Sequence, residues 1–332
     1  MTLAADSGMT SRGDWSTEAD SAHAALSWRL TADGSPSLWS ATFGQAFHCR
    51  SGALAESYTK FIRPAQLERF RPGDRLRVVE VCVGLGYNTA SLLEAANDRG
   101  LSLEWWGLEL DPQPLALALA EPRFRRLWRP TTLTALDQLH AQGQWLQSTQ
   151  QPSKGRWWLG DARCQLRQLP AELNGGCDLV FLDAFSPGQC PQLWTQEFLG
   201  QLAELLRPEG RLLTYCTAAA VRRGLELAGL QLASLRPEHQ RREGEAAGAT
   251  DWRSPWSGGT AASPTAIPAD DQLRPLSEME REHLMSRASV PYRDPLGWAE
   301  AGEIRAQRRA QQQLQPGTLS TSAWRRRWGV ER

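Results

Sequence analysis

Residues 75–88 read RLRVVEVCVGLGYN, and this stretch decides the fold. Its first half is a continuous, β-branched apolar run, the pattern of a parallel strand covered on both faces. Its second half places Gly84 and Gly86 where such a strand turns into a helix. Glycine there lets backbone approach a ligand with no Cβ in the way. The next helix, TASLLEAANDRG, has Leu92, Leu93 and Ala96 on one face, Asn88 as its expected N-cap and Gly100 as a left-handed stop.

The same unit recurs along the chain. LEWWGLEL (103–110), RWWLGDA (156–162), CDLVFLDAF (177–185) and RLLTYCT (211–217) read as four more strands. Asp111-Pro112 opens one intervening helix, and Leu199, Leu202, Leu205 and Leu206 stripe another. Strands alternating with helices predict a doubly wound α/β sheet with right-handed crossovers, whose ligand sits at the carboxyl ends of the strands. Gly84, Glu109, Asp161 and Asp183 should therefore crowd one edge.

Five segments are expected. Residues 1–25 are small and polar and read as disordered. Residues 26–74 form an extension, a β-hairpin around Asp33-Gly34 and then a helical stretch interrupted by Pro64. Residues 75–235 are the core. Residues 236–275, rich in Ala, Gly, Ser and Pro, read as a flexible insertion. Residues 276–332 resume order, pack on the core and end in the basic, aromatic WRRRW.

Composition narrows the function classes. The chain has 332 residues, 41% hydrophobic, and a formal net charge of zero, so no global field announces a nucleic-acid binder. Its positive charge is almost all Arg, with Lys60 and Lys154 the only lysines. No apolar run is long enough to span a bilayer and the N-terminus lacks a secretion signal, which predicts a cytoplasmic, soluble protein. Six scattered cysteines without C-x-x-C spacing point to reduced, packed thiols and to no metal site.

The strand ends carry the chemistry. A G-x-G alone serves NAD, FAD and S-adenosylmethionine equally, but position 89 is Thr where a dinucleotide fingerprint has its third glycine. Glu109, 23 positions after Gly86, can accept the hydroxyls of a ribose or cap a helix. Asp161, with small Ala162 beside it, can accept from the exocyclic amine of an adenine or likewise cap a helix. Taken in order, these ends favour S-adenosylmethionine. Methyl transfer needs an aligned, unprotonated nucleophile. Asp183 can hold an amine and take its proton, with Phe185 facing the sulfonium or the target base and Pro187 and Pro191 stiffening the loop. The plainer alternative has Asp183 capping a turn and Phe185 in the core. Trp194 reads as core.

GDARCQLRQL followed by CDLVFLDAFSPGQCPQLWTQEFL resembles the methyltransferase of the tRNA 5-methylaminomethyl-2-thiouridine biosynthesis (MnmC-type) family. DGSPSLWSATFGQAFHCRSGALAES upstream and CTAAAVRRGLELAGL downstream are similar to two further motifs of that family. The resemblance implies a Rossmann-like class I S-adenosylmethionine-dependent methyltransferase. It would methylate the amine of 5-aminomethyl(-2-thio)uridine at the wobble position of the tRNA anticodon stem-loop. In many members this domain is fused to an FAD oxidoreductase; with no second glycine fingerprint or room for such a domain here, a stand-alone methyltransferase is expected, its oligomeric state open with a monomer favoured. Carried over by motif, Glu80, Gly84, Gly86 and Asn88 would line the methionine end, Glu109 the ribose, and Asp161 with Ala162 the adenine. Asp183, Phe185 and Pro187 would face the amine, and Glu56 and Ser57 would close the pocket. The family's G-F-G-T-G-x-N stands here as CVGLGYN, with altered flanks. Arg222, Arg223, Arg241-Arg242 and Arg325 to Arg327 are candidates for RNA contact, the tail serving equally well as a solvated end. The competing functions are a small-molecule amine methyltransferase or aminopropyltransferase, and a non-catalytic RNA-binding scaffold on the same fold.

Overall fold

The computed structural model describes residues 25–147, 152–237, 257–315 and 319–329. The expectation of disorder over residues 1–25 and the Arg241-Arg242 pair fall outside them, save for residue 25. An N-terminal three-stranded antiparallel sheet comprises β1 (Leu26–Leu30), β2 (Pro36–Ser40) and β3 (Gln45–Ala46). The expected hairpin is there, and its turn ties it to the first helix. The Asp33 carboxylate accepts from Ser35 N at 2.9 Å and from Ala55 N at 3.1 Å, anchoring helix α1 (Ala53–Ser57). A π-helical turn, Tyr58–Ile62, continues α1 until the chain reverses at Gln66, φ 51°.

A nine-stranded sheet forms the body. Its parallel centre is β4 (Arg75–Val81), β5 (Ser102–Glu109), β7 (Lys154–Leu159), β8 (Cys177–Leu182) and β9 (Leu206–Thr214). All five are the strands read from the sequence. β6 (Gln144–Leu146) closes one edge antiparallel to β7. The order β12-β10-β11-β9-β8-β4-β5-β7-β6 puts the switch between β4 and β8, because the chain first winds outward through β5 and β7 and then returns.

Residues 236–275 need a correction. Within that expected flexible insertion, β11 (Thr260–Ser263) and β12 (Leu273–Pro275) are sheet strands. β11 slots antiparallel between β9 and β10 (Gln231–Leu235), with all four of its residues buried. The sequence TAAS is too short and small to show a strand period, so its fate depends on the two neighbours that bury it.

Helices cover both faces. β5 and β8 are buried at every position, as strands covered on two sides must be. Alternate residues face opposite layers. Val78, Trp105, Leu179 and Phe181 join a core with Leu92 and Leu93 of α2 (Tyr87–Asp98) and with Leu136 of α4 (Pro130–Gln142). Helix α3 (Gln113–Ala120) lies between these two in sequence. Val79, Leu108, Val180 and Leu182 join Leu199 and Leu202 of α5 (Gln196–Leu205) and Val221 of α6 (Ala219–Leu227). The C-terminal segment adds α7 (Glu278–Leu284), α8 (Ala301–Gln313) and α9 (Thr321–Trp328). Among the described residues, no helix is long and apolar enough to cross a membrane. All six cysteines are free, and Cys49 and Cys164 are exposed rather than packed as expected.

Candidate active site

A cavity of ≈ 600 Å³ opens at the carboxyl ends of β4, β5 and β8, where the strand order predicts a ligand. That volume is in the range of small-molecule and cofactor sites. Gly84, with φ +55°, and Gly86, with φ +85°, form the turn between β4 and α2. Neither conformation suits a residue with a side chain, and a Cβ on Gly86 would sit 2.9 Å from Leu115. Cys82 shares this left-handed geometry at φ +67° and also lines the cavity.

Glu109 ends β5 and faces the same space. Its carboxylate accepts from the backbone N–H of Gly84 at 2.8 Å, of Leu110 at 2.7 Å and of Asp111 at 3.0 Å. Burial raises its pKa against these three bonds. A carboxylate has roughly four acceptor sites, so about one is left for a ligand hydroxyl rather than the pair expected.

Asp183 comes directly after β8 and lines the cavity. Asn88 Nδ2 donates to its Oδ2 at 2.8 Å. The α2 helix begins at Tyr87 with Gly86 as N-cap, so Asn88 is not the cap expected; its side chain reaches across to β8 instead. Burial holds the Asp183 carboxyl well above the usual range, and the charge of Glu56 adds to the rise. Glu56 also lines the cavity, its Oε2 accepting from Cys49 N at 2.7 Å.

The loop after Asp183 is fixed by bonds as well as by prolines. Tyr215 Oη donates to Ala184 O and Trp194 Nε1 to Phe185 O, both at 2.8 Å. Ser186 donates through N and Oγ to Gln45 Oε1, at 3.1 and 2.8 Å. Phe185 stacks on Phe43 with ring centroids 4.5 Å apart and meets Phe47 edge-on at 5.0 Å. The N-terminal extension thus roofs the site with two aromatic rings and a glutamine. His48 lines it too, kept neutral by burial that lowers its pKa to about 4.

Several expected site residues stand elsewhere. Glu80 is fully buried behind the glycine turn, accepting from Thr89 Oγ1 at 2.8 Å and Trp105 Nε1 at 2.9 Å, and does not reach the cavity. Burial raises its pKa to about 7, and its Oε1 has no partner. Gly86, Asp161, Ala162 and Pro187 are likewise absent from the lining. Asp161 caps the short helix Ala162–Gln165 and pairs with Arg163 at 2.6 Å, which in turn pairs with Asp294 at 2.8 Å. Of the two roles its sequence position allows, the helix cap is the one observed. Ser57 is buried and donates to Ser91 Oγ at 3.0 Å.

Arg222 is not an RNA-facing side chain. It is 3% exposed and pairs with buried Glu280 at 2.9 Å, while also donating to Thr260 Oγ1 on β11. Arg223 lies on the surface against Glu226. Phe43, Gln45, Phe47, His48, Cys82 and Tyr215 line the site without having been expected there. The FGQAFH motif was the available signal, since an aromatic-polar-aromatic spacing next to a hairpin can only matter where the hairpin lands.

Residues 128–249 match the S-adenosyl-L-methionine-dependent methyltransferase family. Over that stretch, less than half of its length, the chain is similar to this family of methyltransferases. The methyltransferase is 33% identical over 227 residues to the tRNA 5-methylaminomethyl-2-thiouridine biosynthesis bifunctional protein MnmC of Chromobacterium violaceum, covering 63% of this chain and 32% of that protein. The homologue from Azoarcus sp. is also 33% identical, over 215 residues, covering 60% of this chain and 32% of its own length. This chain thus spans about a third of the curated relatives it matches. The crystal structure of MnmC2 from Aquifex aeolicus superposes with a TM-score of 0.65 at 27% identity, covering 87% of this chain and 86% of that one. The fold is the Rossmann-like class I methyltransferase arrangement with an N-terminal hairpin, and its cofactor is S-adenosylmethionine.

The methyltransferase's own residues fit that cofactor. A turn without a side chain at Gly84 and a buried carboxylate at Glu109 with an acceptor site to spare line the cavity together with Asn88 and Asp183.

Proposed function

We propose that this methyltransferase modifies the amine of 5-aminomethyl(-2-thio)uridine at the wobble position of tRNA, giving 5-methylaminomethyl(-2-thio)uridine. The observation that carries the reading is Asp183: a half-buried carboxylate held by Asn88, facing the cavity that Gly84 and Glu109 border, under an aromatic roof. The names of the Chromobacterium and Azoarcus relatives, which specify this nucleoside, support the choice of acceptor.

Bound S-adenosylmethionine supplies an electrophilic methyl on a sulfonium. Gly84, Asn88 and Glu109 hold it in this reading. A primary amine arrives largely as ammonium, its lone pair occupied, so a base must first take one proton. Asp183 Oδ accepts that proton, and its raised pKa brings it closer to the range in which a carboxylate works as a base near neutrality. Glu56, across the same cavity, attracts the ammonium and favours its entry. Phe185, fixed between Phe43 and Phe47, offers a face to the uracil ring, and the bonds to Ala184 O, Phe185 O and Ser186 N keep that face still. Pre-set geometry matters most in an in-line displacement, where misalignment lowers the rate directly.

Nucleoside mass spectrometry of tRNA from cells lacking the gene tests the reading. Unmethylated aminomethyluridine should accumulate and disappear on complementation. An unchanged nucleoside profile would point instead to a small-molecule amine as acceptor.

A further inference from the structure

The charge of this chain is unevenly placed. Residues 287–329 hold eight arginines against three acids, Asp294, Glu300 and Glu303, in a protein of zero formal net charge. The structure seats this basic segment beside the acceptor loop. Arg305 Nη1 donates to Gly188 O at 2.8 Å, pinning α8 to the loop after Asp183. From there α8 runs 13 residues, about 20 Å at 1.5 Å per residue. Arg308 fixes it from below, its guanidinium over the Tyr292 ring at 4.5 Å and donating to Val290 O and Ala288 O. Gln312 donates to Arg287 O, and Arg287 N to Leu319 O, just before α9 begins. Trp324 of α9 is buried, stacked on His283 at 3.9 Å, and this orders the helix that carries Arg325 to Arg327. These contacts tie the acceptor loop, α8 and α9 together.

Not all of these arginines are engaged. Arg309 and Arg326 are exposed, and among the described residues neither they nor Arg325 forms an ion pair with a carboxylate, whereas Arg327 pairs with Glu282. Trp298 is 69% exposed, a large aromatic surface left in water next to the start of α8.

We propose that α8, α9 and Trp298 form the docking surface for the sugar-phosphate backbone of the RNA whose acceptor nucleoside enters the cavity. The inference rests on the RNA reading of the acceptor and extends it to a part of the chain outside the motifs that carry the family resemblance. Three guanidiniums without a carboxylate partner, Arg309 on α8 and Arg325 and Arg326 on α9, suit contacts to the phosphates of a polyanion. An exposed tryptophan next to the start of α8 suits stacking on an unpaired base. Zero net charge on the whole chain is no obstacle, because backbone binding depends on the local field rather than on the total.

The test is tRNA affinity against salt concentration for the full chain and for the R309Q/R325Q/R326Q variant. S-adenosylmethionine affinity and the thermal midpoint serve as controls for folding. The wild type should bind tRNA with a steep salt dependence. The variant should bind at least about 10-fold more weakly at low salt and lose up to about 2 to 3 units of the log–log slope, one released counterion per phosphate contact. Trp298→Ala should weaken binding while leaving the slope unchanged. An R309Q/R325Q/R326Q variant that folds, binds cofactor and keeps the wild-type slope overturns the docking surface but leaves the methylation reading intact. A wild type with no affinity for tRNA overturns both.

Discussion

At the residue scale, two carboxyls with raised pKa values stand on either side of the cavity wall, half-buried Asp183 inside it and buried Glu80 outside it. Asp183 faces the cavity and is the base of the proposed reaction; Glu80 lies behind the glycine turn and accepts from Thr89 and Trp105. Asp183→Asn keeps an oxygen for Asn88 Nδ2 and loses only the base. Methyl transfer should fall by about 10² to 10⁴ while cofactor affinity stays within a few-fold, as a titration against a kinetic assay will show. In the wild type the rate should climb with pH through the raised pKa of Asp183, and the variant should lack that limb. Glu80 predicts a stability effect of defined sign. Its folded pKa, about 7, lies above the ordinary 4.5, so between these values the native state holds a proton that the unfolded chain releases. Stability therefore falls as pH rises from about 4.5 to about 7 and levels off above, a change of up to a few kcal/mol. Glu80→Gln should flatten that fall in thermal midpoint measured from about pH 5 to 8. Sequence alone could place both residues at the ends of β4 and β8, but not say which one the cavity reaches. Depth along a strand depends on register, and one residue of register moves a side chain to the other face.

At the scale of elements, β5 and β8 were legible because burial on both faces writes itself as largely apolar sequence, and β4, β7 and β9 because they recur between helices. β11 was not, because TAAS takes its strand character from the Leu212–Thr214 and Leu232–Ser234 backbones that flank it. The N-terminal hairpin was legible as a hairpin, yet its role as the roof was not, since the Phe43–Phe185 contact joins residues far apart in the chain. Phe43→Ala removes that stack, which is worth about 0.5–1.5 kcal/mol. The KM for tRNA should rise roughly 3- to 10-fold in steady-state kinetics with little change in cofactor affinity. An equal loss for cofactor would place Phe43 on the wrong side of the cavity.

For the molecule as a whole, the unexpected arrangement is how the late segments close back onto the sheet. Arg222 on α6, Thr260 on β11 and Glu280 on α7 meet in one buried network. Two arginines adjacent in sequence, Arg222 and Arg223, thus have opposite fates, and only the packing of α7 decides which is which. Removing one partner of a buried ion pair leaves the other charge uncompensated. Arg222→Ala should cost about 3–5 kcal/mol in denaturant unfolding, and Arg223→Ala close to nothing. Long-range closure of this kind also explains why Asp161 was legible as a strand-end acid but not as the partner of Arg163, whose other partner, Asp294, is supplied by the C-terminal segment.

The central claim is that Asp183 delivers an amine of the wobble nucleoside to the methyl donor. Its most direct test is to incubate the purified chain with S-adenosylmethionine and tRNA bearing 5-aminomethyl-2-thiouridine, digest the tRNA and weigh its nucleosides. With the wild type, 5-methylaminomethyl-2-thiouridine should replace the aminomethyl nucleoside, and with Asp183→Asn it should not. An aminomethyl nucleoside that survives unchanged beside a wild-type protein shown to bind S-adenosylmethionine would contradict the claim.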